Sequence, residues 1–447
     1  MQRSRRRQIM AAMAMVLPLL ALAAIDLGLS AAAMVPPEDP LVFYARTFEA
    51  GFTPFVADDE AWTIRPDWRS DGQLRVRQGA QLSEVFILPG FRAARVPRHK
   101  PVGNLRIFVV GGSAVHGVGL AAEQTLPAQL QQKLAKALPG RHLNVYNLGC
   151  PGWASERVRA LVGTLLTMEP DLIVVQSGHN ELLRGALEPL ASLGPLARLR
   201  LQALRHSALY RWLDHVVGPE AQPAAAQLLA DGQRWLSGEA VSRAAQPGAA
   251  AERAAYLAAA PASYRHNLQA IHAAAAAVGV PVVFILPAAN LRVPPKQPVH
   301  AAGFKQLAAF DEALAASQSA FRSGDMAASL AAMDRAITLS PGHAVAHFGR
   351  GLTLLAMERR SDALAALRQA RDRDDWTHRI TSTLEAAFSA AMAASAAPFL
   401  DAREITDPLA PQEISPFTDH CHLSAAGHEA MAEGLLSIVL RELAAAP

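Results

Sequence analysis

The spacing of apolar and polar positions changes character several times along the chain. From Ile9 to Ile25 the residues are apolar, Asp26 interrupts them, and a further apolar stretch runs to Val35. Residues 36–100 carry only short apolar pieces, such as Leu41–Tyr44 and Val85–Leu88, which predict loops with a few edge strands. From Leu105 short runs rich in Val, Ile and Leu alternate with helical periodicity. Strands are predicted at Arg106–Val110, Leu143–Asn147, Leu172–Gln176 and Val280–Leu286, and helices at Pro127–Leu138, Ser155–Met168 and Tyr264–Val278. Strands that are apolar on both faces, joined by helices, predict an α/β fold with a parallel sheet and right-handed crossovers. Between Leu190 and Arg265 there is no strand signal, only an Ala-, Leu- and Arg-rich stretch that reads as helical in part.

Phe304–Met392 is helical and contains a repeat. Leu330, Ala332 and Ala336 recur as Leu364, Ala366 and Ala370, each 34 residues on, and Pro341 closes the first unit. A helix–turn–helix period of this length resembles the tetratricopeptide repeat, a surface on which a protein partner could dock. Fewer than three such units cannot bury a core alone, so the pair is expected to lean on the α/β body. The resulting plan is an N-terminal segment 1–35 and an irregular extension 36–100. An α/β domain follows over 101–303, with a helical insertion at 190–263. The repeat-bearing insertion occupies 304–392, and the domain closes over 393–447.

Composition narrows the function classes. A net charge of +3 over 447 residues is too mild for nucleic acid to be the partner, and two cysteines, Cys150 and Cys421, exclude a disulfide-dense scaffold and a four-cysteine zinc site. Part of the basic excess is concentrated in Arg3, Arg5, Arg6 and Arg7, directly before the apolar run. Met10–Leu29 is long enough to cross a bilayer core of ~30 Å, with Asp26 near the interface. That predicts a single-pass bacterial inner-membrane anchor with the body on the periplasmic side, since arginines stay cytoplasmic. A cleaved signal peptide, with Ala31–Ala33 as its cleavage region, is the alternative and leaves a soluble periplasmic or secreted body.

In parallel α/β sheets ligands bind beyond the carboxyl ends of the strands. The first strand is followed by Gly111-Gly112-Ser113 and the second by Asn147–Ser155. The third is followed by Gln176–Leu183, and the block Phe417–His428 precedes the last helix. Within these blocks Gly111-Gly112-Ser113, Gly152, Gly178-His179-Asn180-Glu181 and the pair Asp419 and His422 together resemble the SGNH, or GDSL, hydrolase family. The wider layout is similar to a membrane-anchored bacterial branch of it. The resemblance covers roughly 101–190, 264–300 and 395–447. It implies a three-layer α/β/α sandwich and a Ser-His-Asp site with Ser113, Asp419 and His422 as catalytic residues. It also implies an oxyanion hole made of the Ser113 and Gly152 N–H groups and the Asn180 amide.

The residue chemistry agrees with the family pattern. A serine hydroxyl needs an adjacent base, and His422 can take and return a proton. Asp419 precedes it by three residues, a spacing that lets a carboxylate fix the imidazole tautomer. Gly111 and Gly112 let Ser113 sit on a tight turn. A phosphate-cradling loop is disfavoured because no Gly-Lys-Ser/Thr follows. Asp419, His420 and His422 could suggest a metal site, but the serine at the strand end favours the triad, so neither metal nor cofactor is expected. Glu181 departs from the family's Asp. His179, Glu181 and Arg292 are the candidate substrate-binding residues, and Arg292 could instead form a structural salt bridge. His116 and His420 read as packing or rim residues. Cys150 and Cys421 could pair or remain free. The expected activity is cleavage of a small acyl ester or acylated carbohydrate. O-acetyl transfer to envelope polysaccharide, or a vestigial site on a repeat-bearing scaffold, are the alternatives.

Overall fold

Five parallel strands make the central sheet: β1 (Leu105–Gly111), β2 (Leu143–Gly149), β3 (Leu172–Gln176), β4 (Val282–Leu286) and β5 (Phe399–Asp401), in the spatial order β5-β4-β3-β1-β2. This computed structural model describes residues 21–29, 53–65, 68–69, 75–79, 82–86, 90–182, 207, 209–210, 212–213, 249–376, 378–410 and 415–445. Arg3–Arg7, Ala31–Ala33, Leu41–Tyr44 and the expected helical insertion up to residue 248 lie outside the described residues, apart from the few between 207 and 213. The register is continuous through the sheet, with Val109 of β1 opposite Asn147 of β2 and Val174 of β3.

Successive residues of a strand point to opposite faces, and here both faces are filled. Ile107, Val109, Leu172, Val174, Val283 and Ile285 face one layer. There they meet Leu126, Leu130 and Leu134 of α2 (Leu126–Ala137) and Met431, Leu435 and Val439 of the last helix, α10 (Ala425–Ala445). The intervening Phe108, Val110, Ile173, Val175 and Phe284 are equally buried. On that side α3 (Ser155–Leu165) packs on β1 and on α4 (Ala249–Ala276). The sheet and its flanking helices therefore form a three-layer α/β/α sandwich. The expected helix Tyr264–Val278 is the second half of α4, which begins at Ala249 and runs through Pro261. A proline that removes one helix hydrogen bond looks in sequence like a boundary.

Two further findings revise the expected plan. The extension before the sheet contains an antiparallel three-stranded sheet, Phe55–Ala57, Ala61–Ile64 and Arg95–Pro97, and a hairpin, Arg75–Gly79 with Leu82–Phe86. Residues 1–52 and 186–241 form a separate compact unit. In it residues 21–29 are helical, and Asp26 Oδ1 accepts from Ser207 Oγ and the Leu209 N–H, both at 2.7 Å. Among the described residues no helix is long and apolar enough to cross a membrane.

The segment expected to carry the repeat folds as α5 (Leu307–Ser323), α6 (Met326–Leu339), α7 (Ala344–Ala356) and α8 (Arg360–Arg373). It is followed by α9 (Ser382–Ser395), which packs on α4. Helix α5 pairs with α6 and α7 with α8, and the repeated Leu330 and Leu364 sit on α6 and α8. Leu367 of α8 is buried with Leu291 and Leu409 of the α/β body. The carboxylate of Asp374 accepts from the backbone N–H groups of Lys296 and Gln297 at 3.1 and 2.8 Å.

Each buried Leu of this kind exposed to water gives up ~1.5–3 kcal/mol, and the isolated segment would also keep its full ordering entropy. Residues 304–392 expressed alone should therefore be weakly helical by circular dichroism and melt without a cooperative transition. A sharp, reversible melt of the fragment would show that the helices do not need the body.

Candidate active site

β1 ends at Gly111, and Ser113 opens the one-turn helix α1 (Ser113–His116). Two close approaches explain the glycines. A Cβ on Gly111 would lie 2.2 Å from the carbonyl oxygen of Gln176, and one on Gly112 would lie 2.6 Å from Asn180 Nδ2. The turn is fixed at its other end by the buried Arg92, whose Nε donates to His116 O at 2.7 Å. Its guanidinium also donates to Gly117 O and Leu120 O at 2.9 and 2.8 Å. A guanidinium on the carbonyls of a helix end offsets their partial negative charge. Arg92 lies in the extension that the sequence pattern treats as irregular. Its only signal there is an arginine beside Phe91, one of several in the extension.

The structure brings Ser113, His422 and Asp419 together. Ser113 Oγ lies 2.7 Å from His422 Nε2, and His422 Nδ1 lies 2.6 Å from Asp419 Oδ2. Asp419 Oδ1 accepts from the backbone N–H groups of His422 and Cys421 at 2.7 and 2.9 Å, so the carboxylate holds both the ring and the turn that carries it. Asn290, in the loop after β4, secures this segment. Its N–H donates to His420 O at 3.0 Å and its side-chain amide donates to Asp419 O at 3.1 Å. Arg292 makes no such contact. Its backbone N–H donates to the Asn290 side chain at 3.0 Å, so Asn290 is the residue of this loop that bonds the Asp419 segment.

The electrostatics follow from this geometry. Burial alone would raise the Asp419 carboxyl, but the His422 hydrogen bond and charge, with help from His420 and the Cys421 N–H, hold it well below the usual carboxylate range. For His422 burial opposes a charge, while the Cys421 sulfur and the Asp419 carboxylate outweigh it. Its pKa lies well above the ordinary histidine value. Burial pushes the Cys421 thiol itself up, so at neutral pH Asp419 is the partner that carries the charge. Cys150 and Cys421 are both free and buried, which answers the pairing question in favour of thiols. Donor atoms of Asp419, Cys421 and His422 lie within 4.8 Å of one another. Asp419 and His422 spend theirs on each other and on Ser113.

The second and third strand-end blocks meet beside the Gly112–Ser113 turn. Gly152 has φ +78°, in the left-handed region. The Asn180 amide donates to Trp153 O at 2.9 Å, which aims it at the Gly112–Ser113 turn. Glu181 belongs to the scaffold rather than to the substrate wall. Its buried carboxylate accepts from Ser155 N, Ser155 Oγ and Ser177 Oγ at 3.0, 2.7 and 2.6 Å, and burial raises its pKa. The longer side chain thus still ties the Asn180 loop to the start of α3. His179 is buried, and its Nδ1 accepts the Ile380 N–H at 3.3 Å.

Ile380 comes from a segment, residues 374–381, that was expected to be helical with the rest of Phe304–Met392 but forms the connection between α8, which ends at Arg373, and α9, which starts at Ser382. Trp376 stacks on His378 at 4.6 Å and meets His420 edge-on at 4.4 Å, and the Lys296 ammonium lies 4.1 Å from the Trp376 ring centre. The buried ion pair of Asp374 with Arg379 (3.4 Å) anchors the segment, and Arg379 also donates to Asn290 O at 3.3 Å.

Comparison with known proteins places this architecture. Residues 109–334 match the family model described as GDSL-like lipase/acylhydrolase, a span that includes Ser113, Gly152 and Asn180 but ends before Asp419. The chain belongs to that family. It is an ester-hydrolysing enzyme of the SGNH/GDSL type. Among solved structures it is similar to a lipolytic G-D-S-L family protein from Veillonella parvula, with 9% identity over 75% of this chain and 99% of that one and a TM-score of 0.34. It is also similar to an acetylxylan esterase from Geobacillus stearothermophilus, with 11% identity over 77% and 96% of the two chains and a TM-score of 0.31. No curated protein matches the chain.

Burial lowers several histidines around the site: His179 and His378 to about 3, His420 to about 2 and His428 to about 4. Groups with depressed folded pKa values stay neutral while the unfolded chain takes up protons near 6.5, so their neutral burial favours folding above that pH and is lost as pH falls toward 4. His422, raised instead, acts in the opposite sense, and its contribution fades as pH rises through its folded value. Four groups against one predict a melting temperature that falls steadily from pH 7 to pH 5. A flat or rising profile over that range, measured by calorimetry, would contradict these environments.

Proposed function

We propose that the chain cleaves small acyl esters by a Ser-His-Asp mechanism, with Ser113 as nucleophile, His422 as general base and acid, and Asp419 as the group that fixes and stabilises the imidazole. The observation that carries this is the continuous hydrogen-bonded line from Ser113 Oγ through His422 to Asp419, at 2.7 and 2.6 Å. As Oγ bonds to the ester carbonyl carbon, its proton passes to His422 Nε2 and the carbonyl oxygen becomes an oxyanion. The Ser113 and Gly152 N–H groups and the Asn180 amide are the donors for that oxyanion. One such donor is worth ~2.7–4 kcal/mol of barrier. The imidazolium, favoured by Asp419, returns its proton to the departing alcohol. Water then cleaves the acyl-serine by the same route in reverse.

The proposed setting is the outer face of a bacterial inner membrane. The support is Arg3–Arg7 followed by the apolar run to Ile25, a charge and length pattern that anchors a body on the far side from the arginines. Protease added to spheroplasts should digest the body. Protection of the body would reverse the orientation, and a shortened soluble form would point to a cleaved signal.

A fluorophosphonate probe should label the wild-type chain on Ser113. Ser113→Ala should abolish labelling and lower esterase kcat by at least about 10³-fold. Labelling that persists on another serine would refute the nucleophile.

A further inference from the structure

The extension before the sheet reaches the nucleophile turn with two adjacent residues, Phe91 and Arg92. The family match begins at residue 109, so neither belongs to the shared pattern. Both are buried, Phe91 completely and Arg92 to 9% exposure. A single helical turn such as α1 does not hold itself, because fixing its backbone costs more than its first hydrogen bonds return. Within it the His116 N–H donates to Gly112 O at 3.1 Å and the Gly117 N–H to Ser113 O at 3.0 Å. Its geometry therefore depends on its neighbours. On one side β2 approaches so closely that a Cβ on Gly149 would lie 2.2 Å from His116 N. At its far end the Arg92 guanidinium spans the carbonyls of His116, Gly117 and Leu120 at 2.7, 2.9 and 2.8 Å. Charge-assisted bonds from a planar fork fix direction as well as distance.

Phe91 bears on the second strand-end block. Its ring meets the Trp153 ring edge-on at 5.0 Å. Trp153 follows Gly152, and its carbonyl accepts the Asn180 amide at 2.9 Å. The same carbonyl faces the nucleophile turn, where a Cβ on Gly112 would lie 3.1 Å from it. Neighbouring residues of one segment thus support both the Ser113 turn and the loop that carries Gly152. The segment is itself held firmly. The Phe91 N–H donates to Trp68 O at 2.8 Å, and Ala94 O accepts the Ile64 N–H at 3.3 Å. Arg106 of β1 donates to Pro97 O at 2.8 Å, so the strand that leads to Ser113 is tied to the extension at its start as well as beyond its end.

We infer that Phe91 and Arg92 are positioning residues for ester cleavage, a clamp that holds the Ser113 turn and the Gly152–Trp153 loop at the spacing the oxyanion donors need. The assignment rests on the proposed Ser-His-Asp reading and makes the extension part of the catalytic unit. A misplacement of about 1 Å in such a site costs about 100-fold in rate. Oxyanion donors act on the transition state rather than on the bound ester, so the loss falls on kcat.

The test uses the full chain, p-nitrophenyl acetate as substrate and fluorophosphonate labelling to completion as the count of working sites. Arg92→Met should lower kcat per labelled site by about 10- to 100-fold, with KM changed less than about two-fold. Inhibition by phenylboronic acid, whose tetrahedral adduct on Ser113 places an oxygen where the oxyanion forms, should weaken by a similar factor. Arg92→Lys keeps the buried charge without the planar fork, so it should fold and show an intermediate kcat. Methylguanidinium added to Arg92→Ala should restore part of the lost rate, and Phe91→Leu should show a smaller loss of the same kind. A purely structural role would lower the melting temperature and the number of labelled sites while each labelled site worked at the wild-type rate. That result, or a change confined to KM, would overturn the clamp alone. A wild-type chain that takes no label on Ser113 would overturn the Ser-His-Asp reading and the clamp with it.

Discussion

The hydrogen bond of 2.7 Å between Ser113 Oγ and His422 Nε2 joins residues 309 positions apart, and much of the fold can be understood as what makes it possible. Ser113 is placed by β1, by two glycines whose missing side chains leave room for Gln176 and Asn180, and by Arg92 on the far end of its helical turn. His422 is placed by Asp419, which bonds both its ring and its backbone, and by Asn290 in the loop after β4. A short hydrogen bond between two such distant segments is held by rigid elements on each side, with the sheet as their common reference.

The helical insertion is part of that support. Asp374 binds the loop after β4, Arg379 bridges Asp374 to Asn290, and Asn290 bonds the Asp419 segment. Behind it Glu385 of α9 joins Arg371 of α8 at 2.6 Å and Arg403 after β5 at 2.7 Å, and Arg403 also holds Asp401 at 2.6 Å. Buried charges left without a partner are strongly destabilising, so these pairs fix the insertion in one arrangement relative to the edge strand. The wall of Trp376, His378 and Ile380 reaches the triad through this bracing.

The strands of the sheet were legible because burial on both faces leaves unbroken apolar runs. Leu172–Gln176 matches residue for residue, and β4 starts at Val282, two positions later than the apolar run, because Pro281 lacks an N–H for the ladder. β5 was not legible: three residues at an edge, Phe399–Asp401, hold too few side chains for a period. The blocks around Ser113, Gly152, Asn180 and Asp419 stood out because four motif-like blocks follow one another in order, three after predicted strands and one before the closing helix. Residues 374–381 were expected to be helical with the rest of Phe304–Met392, whereas the fold buries Asp374 and Arg379 against each other in a connection between two helices. Arg292 drew attention by its charge, whereas its neutral neighbour Asn290 makes the contacts.

The account turns on Asp419 stabilising the charged form of His422, and the pH dependence of kcat/KM for a simple acetate ester tests this most directly. The base must be unprotonated to accept the Ser113 proton, so activity is present above the His422 pKa and lost as pH falls through it. With that pKa raised by its surroundings, the acidic limb in the wild type should lie above the ordinary histidine value of about 6.5. Asp419→Asn should move the limb to lower pH while reducing the plateau. A wild-type limb at or below 6.5, or one that Asp419→Asn leaves in place, would contradict the proposed role of the aspartate.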